Sequence, residues 1–304
     1  MLCEQMGIKL EAAESRLPTR PRKRRGESAT PKFTNANLPD CCRGDSRWKN
    51  TFIPTITLRT GTMTVPWDLT ARDDTLDFIS SVFEQVFGHD TGEVIDHKCA
   101  VYLVTVQRQV EYRGKFGEVA LDVLQEFFET TKDPEALRQN PRATKLLYPT
   151  QASRQQYVKR ALNGLCCFYA HPDYDDPSES TGIFRSHFVL ATLAHHYRAT
   201  EGALEEALRA DLDVAANEMT PPSGALALAA VAVERAFQHY TSGERAKQVQ
   251  AFSEGKCRSA TEVYAEKIDQ VDYDTWMEII EGHRGAGQQS ASSTACPLII
   301  ACLP

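Results

Sequence analysis

From about Arg47 onward, apolar side chains recur at intervals of three and four, the spacing that gathers them on one face of an α-helix. The first clear case follows Asp73 and Asp74: Leu76, Ile79, Val82, Phe83, Val86 and Phe87 form a stripe that Gly88 closes. Cys99 to Val110 predicts a second helix, because Tyr102, Leu103, Val106 and Val110 share a face. Gly114 and Gly117 then read as a break before a third, over Glu118 to Thr130, with Ala120, Leu121, Leu124, Phe127 and Phe128 inside. Ser153 is expected to cap a helix that buries Tyr157, Val158, Ala161, Leu162 and Leu165 and ends at the polar loop HPDYDDPSESTG. Phe184 to Tyr197 and Ala203 to Ala216 continue the series. In Gly224 to Tyr240, Pro221 and Pro222 stop what precedes, Ser223 caps, and Leu226, Ala229, Ala230, Val233, Phe237 and Tyr240 form the stripe. Its small alanines permit close helix–helix approach, which places it at the centre of a bundle. Shorter helices are expected at Ala260 to Ile268 and Asp274 to Glu281. A strand is suggested only at Thr51 to Leu58, where Pro54 interrupts a run of Thr, Ile and Phe.

This pattern predicts an all-α fold, a single multi-helix bundle-like domain over residues 47–283, preceded by a disordered basic tail (1–46) and followed by a flexible one (284–304). An apolar share of 42% and a charged share of 25% fit that picture and exclude a wholly disordered or collagenous chain. Gly224 to Val233, the longest weakly polar stretch, falls far short of the roughly 20 apolar residues of a membrane span. Glu4, Lys9 and Glu11 stand where a secretory signal would be apolar, so an intracellular location without membrane contact is expected. Nine cysteines, an odd number, then point to reduced thiols. The adjacent pairs Cys41-Cys42 and Cys166-Cys167 are expected to diverge, as neighbouring side chains do. A set drawn from His97, Cys99, Cys166, Cys167 and His171 fits no standard zinc spacing, so no metal and no cofactor is assigned.

The net charge of −7 hides a segregation. Ser15 to Arg43 holds eight basic and two acidic residues, whereas 47–283 holds 24 basic and 35 acidic. Within the first segment Arg20, Arg22, Lys23, Arg24 and Arg25 form the kind of cluster that a nuclear-import receptor or nucleic-acid phosphates read. The expected location is therefore the nucleus, otherwise the cytoplasm. A second basic stretch, Ala136 to Pro172, carries Arg138, Arg142, Lys145, Arg154, Lys159 and Arg160 with no acid and with interleaved tyrosines, as a nucleic-acid surface would. Arg154, Lys159 and Arg160, however, do not share one helical stripe. His187, His195 and His196, with Asp173, Asp175 and Asp176, are the polar residues from which a catalytic cleft could be built, but no phosphate loop, nucleophile elbow or metalloprotease helix is present. The leading functional reading is a non-enzymatic nuclear module that binds protein partners. The alternatives are a nucleic-acid binder using the basic segment and residues 136–172, and an enzyme with a helical cleft.

Trp48, Phe52-Ile53-Pro54-Thr55, Pro66-Trp67, Val82-Phe83, Tyr112-Arg113, Phe116-Gly117, Gly182, Phe184, Pro222, Gly224-Ala225-Leu226-Ala227-Leu228 and Glu234-Arg235-Ala236 together resemble an uncharacterised family of mushroom-type fungal proteins. The likeness covers about residues 47–283, and Tyr112 stands where that pattern has tryptophan. It implies a helical domain of unknown function with a polar, basic N-terminal region and, more weakly, a nuclear context.

The localisation expectation is tested by comparing the full chain with an Arg22→Ala/Lys23→Ala/Arg24→Ala/Arg25→Ala variant in cells. The intact protein should concentrate in nuclei and the variant should not; two cytoplasmic distributions would contradict the import reading.

Overall fold

The computed structural model describes residues 33–70, 74–215 and 218–289, without the side chains of 283–289. The Arg20 to Arg25 cluster lies outside the described residues. Ten α-helices follow in order: α1 (Ile53–Thr62), α2 (Asp74–Phe87), α3 (Ala100–Thr130), α4 (Pro134–Gln139), α5 (Gln151–Leu162), α6 (His187–Ala199), α7 (Glu205–Leu212), α8 (Ser223–His239), α9 (Glu254–Ile268) and α10 (Tyr273–Gln289). Among the described residues there is no strand, only two isolated bridges, so the fold is all-α. No helix there is long and apolar enough to cross a membrane.

Helix α8 is the axis of the bundle. Every residue from Gly224 to Val233 is buried, and α1, α3, α5, α6 and α9 all pack against it. A helix apolar on every side can sit only where neighbours surround it, and its alanines let their backbones come close. The tightest approach is at Gly224, where an added Cβ would overlap the Met63 carbonyl oxygen and lie 3.2 Å from that of Gly61. Ser223 does not cap α8. It occupies the first helical position, and its hydroxyl donates to the Thr62 carbonyl across the same crossing at 3.2 Å.

Helix α1 replaces the expected strand. Pro54 falls in the first turn, where its missing N–H is not needed. Thr55, Thr57 and Thr60 donate their hydroxyls back to the carbonyls of Thr51, Ile53 and Ile56, so these β-branched residues are satisfied inside a buried helix. Tertiary burial thus overrides a local composition that favours extended chain. The two helices expected on either side of Gly114 and Gly117 are one, the 31-residue α3, roughly 46 Å long. The glycines keep helical geometry within it and leave a notch in its surface. At the start of α5, Thr150 is the cap and Ser153 its partner in a reciprocal capping box.

Two apolar clusters form. The larger surrounds α8; the smaller joins Trp48, Phe52, α2, the first turns of α3 and Ala207 of α7. Leu38 and Cys42, upstream of residue 47, are buried in the smaller cluster. Where α1 crosses α3, the interior is polar: Gln109 donates to Thr57 at 3.0 Å, and the Thr60 hydroxyl proton is shared between the Ile56 carbonyl and the Gln109 side-chain oxygen, each at 3.0 Å. Arg59, 3% exposed, meets Asp74 at 2.9 Å and Asp211 at 2.7 Å and lies over the Phe78 ring, tying α1 to α2 and α7. Two carboxylates on one guanidinium offset the desolvation that a buried cation would otherwise suffer.

The crossing at Gly224 has a measurable consequence. Gly224→Ala should destabilise the fold by about 1–3 kcal/mol, because backbone rather than a yielding side chain stands in the way. In thermal unfolding this lowers the midpoint by roughly 2–4 °C per kcal/mol. Gly255→Ala, whose Cβ would meet open space, should leave it unchanged or raise it. Equal midpoints for the two variants would refute the crossing.

Candidate partner-binding groove

The segment from Thr241 to Ser253 runs back against the outer faces of both α3 and α8. Gly243, at φ +81°, turns the chain, with its N–H on the Tyr240 carbonyl. The Ala246 N–H on the His239 carbonyl at 2.9 Å sets the return. The segment ends with Phe252 in the notch of α3: a Cβ on Gly117 would come within 2.5 Å of the Phe252 Cβ, and the ring lies 6.0 Å from that of Trp67. Between α3, α8 and this strap is an open groove of about 590 Å³ with a floor of Gly114, Gly117, Leu121, Ala232 and Ala236.

Its rim is cationic. Lys115, Arg235, His239 and Arg245 line it beside two acids, Glu111 and Glu118. Both acids are engaged, Glu111 with Arg108 at 2.5 Å and Glu118 with Lys115 at 2.5 Å, which holds the Lys115 ammonium above its ordinary range. Arg245 reaches Asp122 only at 3.8 Å. Arg235 enters no ion pair among the described residues and donates to the Gln250 carbonyl at 3.4 Å. Burial, and then the charges of Arg235 and Arg245, push the His239 imidazole below its ordinary value.

Behind the groove the polar groups are structural. Arg113, 5% exposed, donates to the Pro66 carbonyl at 3.1 Å and stacks over Trp67 at 5.3 Å, and its Nε has no hydrogen-bond partner among the described residues. Desolvation holds this guanidinium below its ordinary pKa. Trp67 Nε1 donates to Thr261 at 3.0 Å. Burial pushes the Tyr112 phenol up, so it stays protonated, and its hydroxyl is hydrogen-bonded to Nδ1 of His196 at 2.8 Å. His196 itself, 1% exposed, fills the space over Gly61. His195 donates through Nε2 to the Tyr112 carbonyl at 3.2 Å and stacks on the Tyr112 ring.

The residues singled out from sequence are dispersed. Asp173 turns its carboxylate onto the N–H groups of Asp175 and Asp176, both at 2.9 Å, and these bonds lower its pKa. Asp176 accepts from Ser178 within the same loop. The acids and the α6 histidines therefore serve different local partners. In the 136–172 stretch, Arg138 pairs with Glu135, Lys145 with Asp133 at 2.6 Å and Arg160 with Asp175 at 3.5 Å. Arg154 donates to the Tyr148 carbonyl at 3.1 Å and lies over Phe128. Arg142 and Lys159 are exposed and enter no ion pair among the described residues. Cys41 and Cys42 converge rather than diverge, with sulfurs 3.6 Å apart. Cys99 caps α3 beside the smaller cluster, whereas Cys167 is buried in the larger one. Among the described residues no three His, Cys, Asp or Glu side chains are grouped to hold a metal ion.

The profile of a protein family described as a domain of unknown function, DUF6532, matches residues 50–271. No curated protein and no solved structure matches the chain.

Burial depresses His187, and burial followed by the charges of Arg198 and Lys115 depresses His195, from the ordinary value of 6.5. With His239 they take up protons more readily in the unfolded chain. Their stabilising share is complete above about pH 6.5 and is lost as pH falls through the lowered folded values. The thermal midpoint should therefore fall between about pH 7 and pH 5, with a shallower fall in a His187→Gln/His195→Gln variant. Identical slopes would contradict this assignment.

Proposed function

The chain belongs to the DUF6532 family, and we propose that it is a non-enzymatic, nuclear protein-interaction module: the helical body offers the α3–α8 groove to a protein partner, and the Arg20 to Arg25 cluster serves import or phosphate contact. The observation that carries this reading is the groove itself, an open channel with a floor of small residues and a charged rim, set on the most extensively packed helix pair of the bundle. Small floor residues admit main chain, and rim charges select what lies along it. Polar residues that could have formed a cleft are tied to the fold instead: Tyr112 to His196, Gln109 to Thr57 and Thr60, and Arg59 to Asp74 and Asp211.

The test is recovery of partners from cells on the tagged full-length chain. An Arg235→Glu/Arg245→Glu variant, shown by circular dichroism to be folded, should lose proteins that the unmodified chain retains, while Arg142→Glu/Lys159→Glu should retain them. If the two variants recover the same set as the unmodified chain, the groove is not the interaction surface. If the second alone loses ribonuclease-sensitive material, the nucleic-acid reading of residues 136–172 replaces this one.

A further inference from the structure

We propose that the α3–α8 groove takes an extended acidic peptide, and that the strap residues Val249 to Phe252, which line it, are an uncharged internal stand-in. The inference rests on the interaction-module reading and adds the chemistry of the partner. Three observations carry it. First, one wall of the groove is already chain without helical structure: residues 248–252 have none, and the Arg235 guanidinium meets a carbonyl of that chain, that of Gln250, at 3.4 Å. A carboxylate offered at the same point would make a shorter, charge-assisted bond in place of a long neutral one.

Second, the rim charge is only partly neutralised from within. Glu111 and Glu118 are taken by Arg108 and Lys115, the Arg245–Asp122 pair is long, and Arg235 has no carboxylate among the described residues. Positive potential therefore remains on a body that holds 24 basic and 35 acidic residues between 47 and 283. An acidic segment would be drawn to this channel by Arg235 and the exposed part of Arg245.

Third, Phe252 is an aromatic anchor of the strap. It is only partly buried, and its side chain enters a notch made by the absent side chain of Gly117 against Trp67, with its carbonyl facing Gly114. An aromatic residue of a partner would fit the same notch. The chain's own ends are poor sources of such a segment: in residues 1–32 the four acids Glu4, Glu11, Glu14 and Glu27 are outnumbered by eight basic residues, and residues 290–304 carry no charged side chain. Besides Phe252 and His239 the lining offers no ring on which successive bases could stack, which favours a peptide over a nucleic acid.

Fluorescence anisotropy of a labelled twelve-residue Asp/Glu-rich peptide containing one Phe, titrated with the full-length chain, tests this. Saturable binding is expected that weakens as salt rises from about 50 to 300 mM. It should fall about tenfold or more in Arg235→Ala/Arg245→Ala and strengthen several-fold in Phe252→Ala, both checked for folding by circular dichroism. The same peptide with Asn and Gln in place of its acids should not bind. Equal binding of that neutral peptide, preference for a phosphoserine peptide or a twelve-nucleotide RNA, or a groove used for self-association that Arg235→Ala/Arg245→Ala abolishes in sedimentation, would each overturn the proposal. Failure of the peptide while cellular partners still depend on Arg235 and Arg245 removes this inference alone; loss of that dependence removes the underlying reading.

Discussion

The fold depends on the burial of Gly224 to Val233 of α8 from every side. An alanine-rich helix contributes little apolar area per residue, so it stabilises through closeness: dispersion falls steeply with separation, and small side chains let surrounding helices approach until backbones touch. At Gly224 that limit is reached against the turn that ends α1. Larger residues on the neighbours, such as Phe116, Leu124, Phe188 and Leu193, then fill the angles between helices, and all four are buried in the same cluster. The polar interior follows from the same geometry. Because α1 is pressed between α8, α3 and α7, its threonines and Arg59 cannot reach water, and the structure supplies Gln109, Asp74 and Asp211 to them. An unmatched group there would cost more than a typical hydrogen bond returns.

The groove is a by-product of this axis. The inward face of α8 is committed to the core, so Arg235 and His239 in its last turns can only face outward. Helix α3 runs past at close range, and Gly117 lowers its surface enough for Phe252 to sit down. Lys115 and Arg245 complete a positive rim on an otherwise acidic body. Close packing below and an irregular strap above are what the proposed exchange of one occupant for another would use, which links the stability of the core to the interaction reading.

Much of the scaffold was legible in the chain. The stripes of α2 and α8 are regular, and flanking glycines and prolines mark their ends, so periodicity alone located them. Helix α1 was not legible, because Thr and Ile favour strands until burial and back-bonded hydroxyls reverse the preference. Helix α3 read as two, since glycine usually ends helices, whereas here Gly117 makes room for Phe252 from 135 positions downstream. The basic stretch looked unopposed because its window began at Ala136, just after Asp133 and Glu135, which pair with Lys145 and Arg138. Arg160 found Asp175 across a loop. The groove had no local signature, as its residues come from two helices and a strap; glycines inside a helical pattern were the one available signal.

The central claim is that α8 is the buried axis on which the groove is mounted. Hydrogen exchange of the full-length chain under native conditions, read by mass spectrometry, tests it most directly. The account predicts that amides of Ala225 to Ala236 exchange only through global unfolding, slowest in the protein, while α7 and residues 244–253 exchange through local opening. Exchange in α8 as fast as in α7 would contradict it.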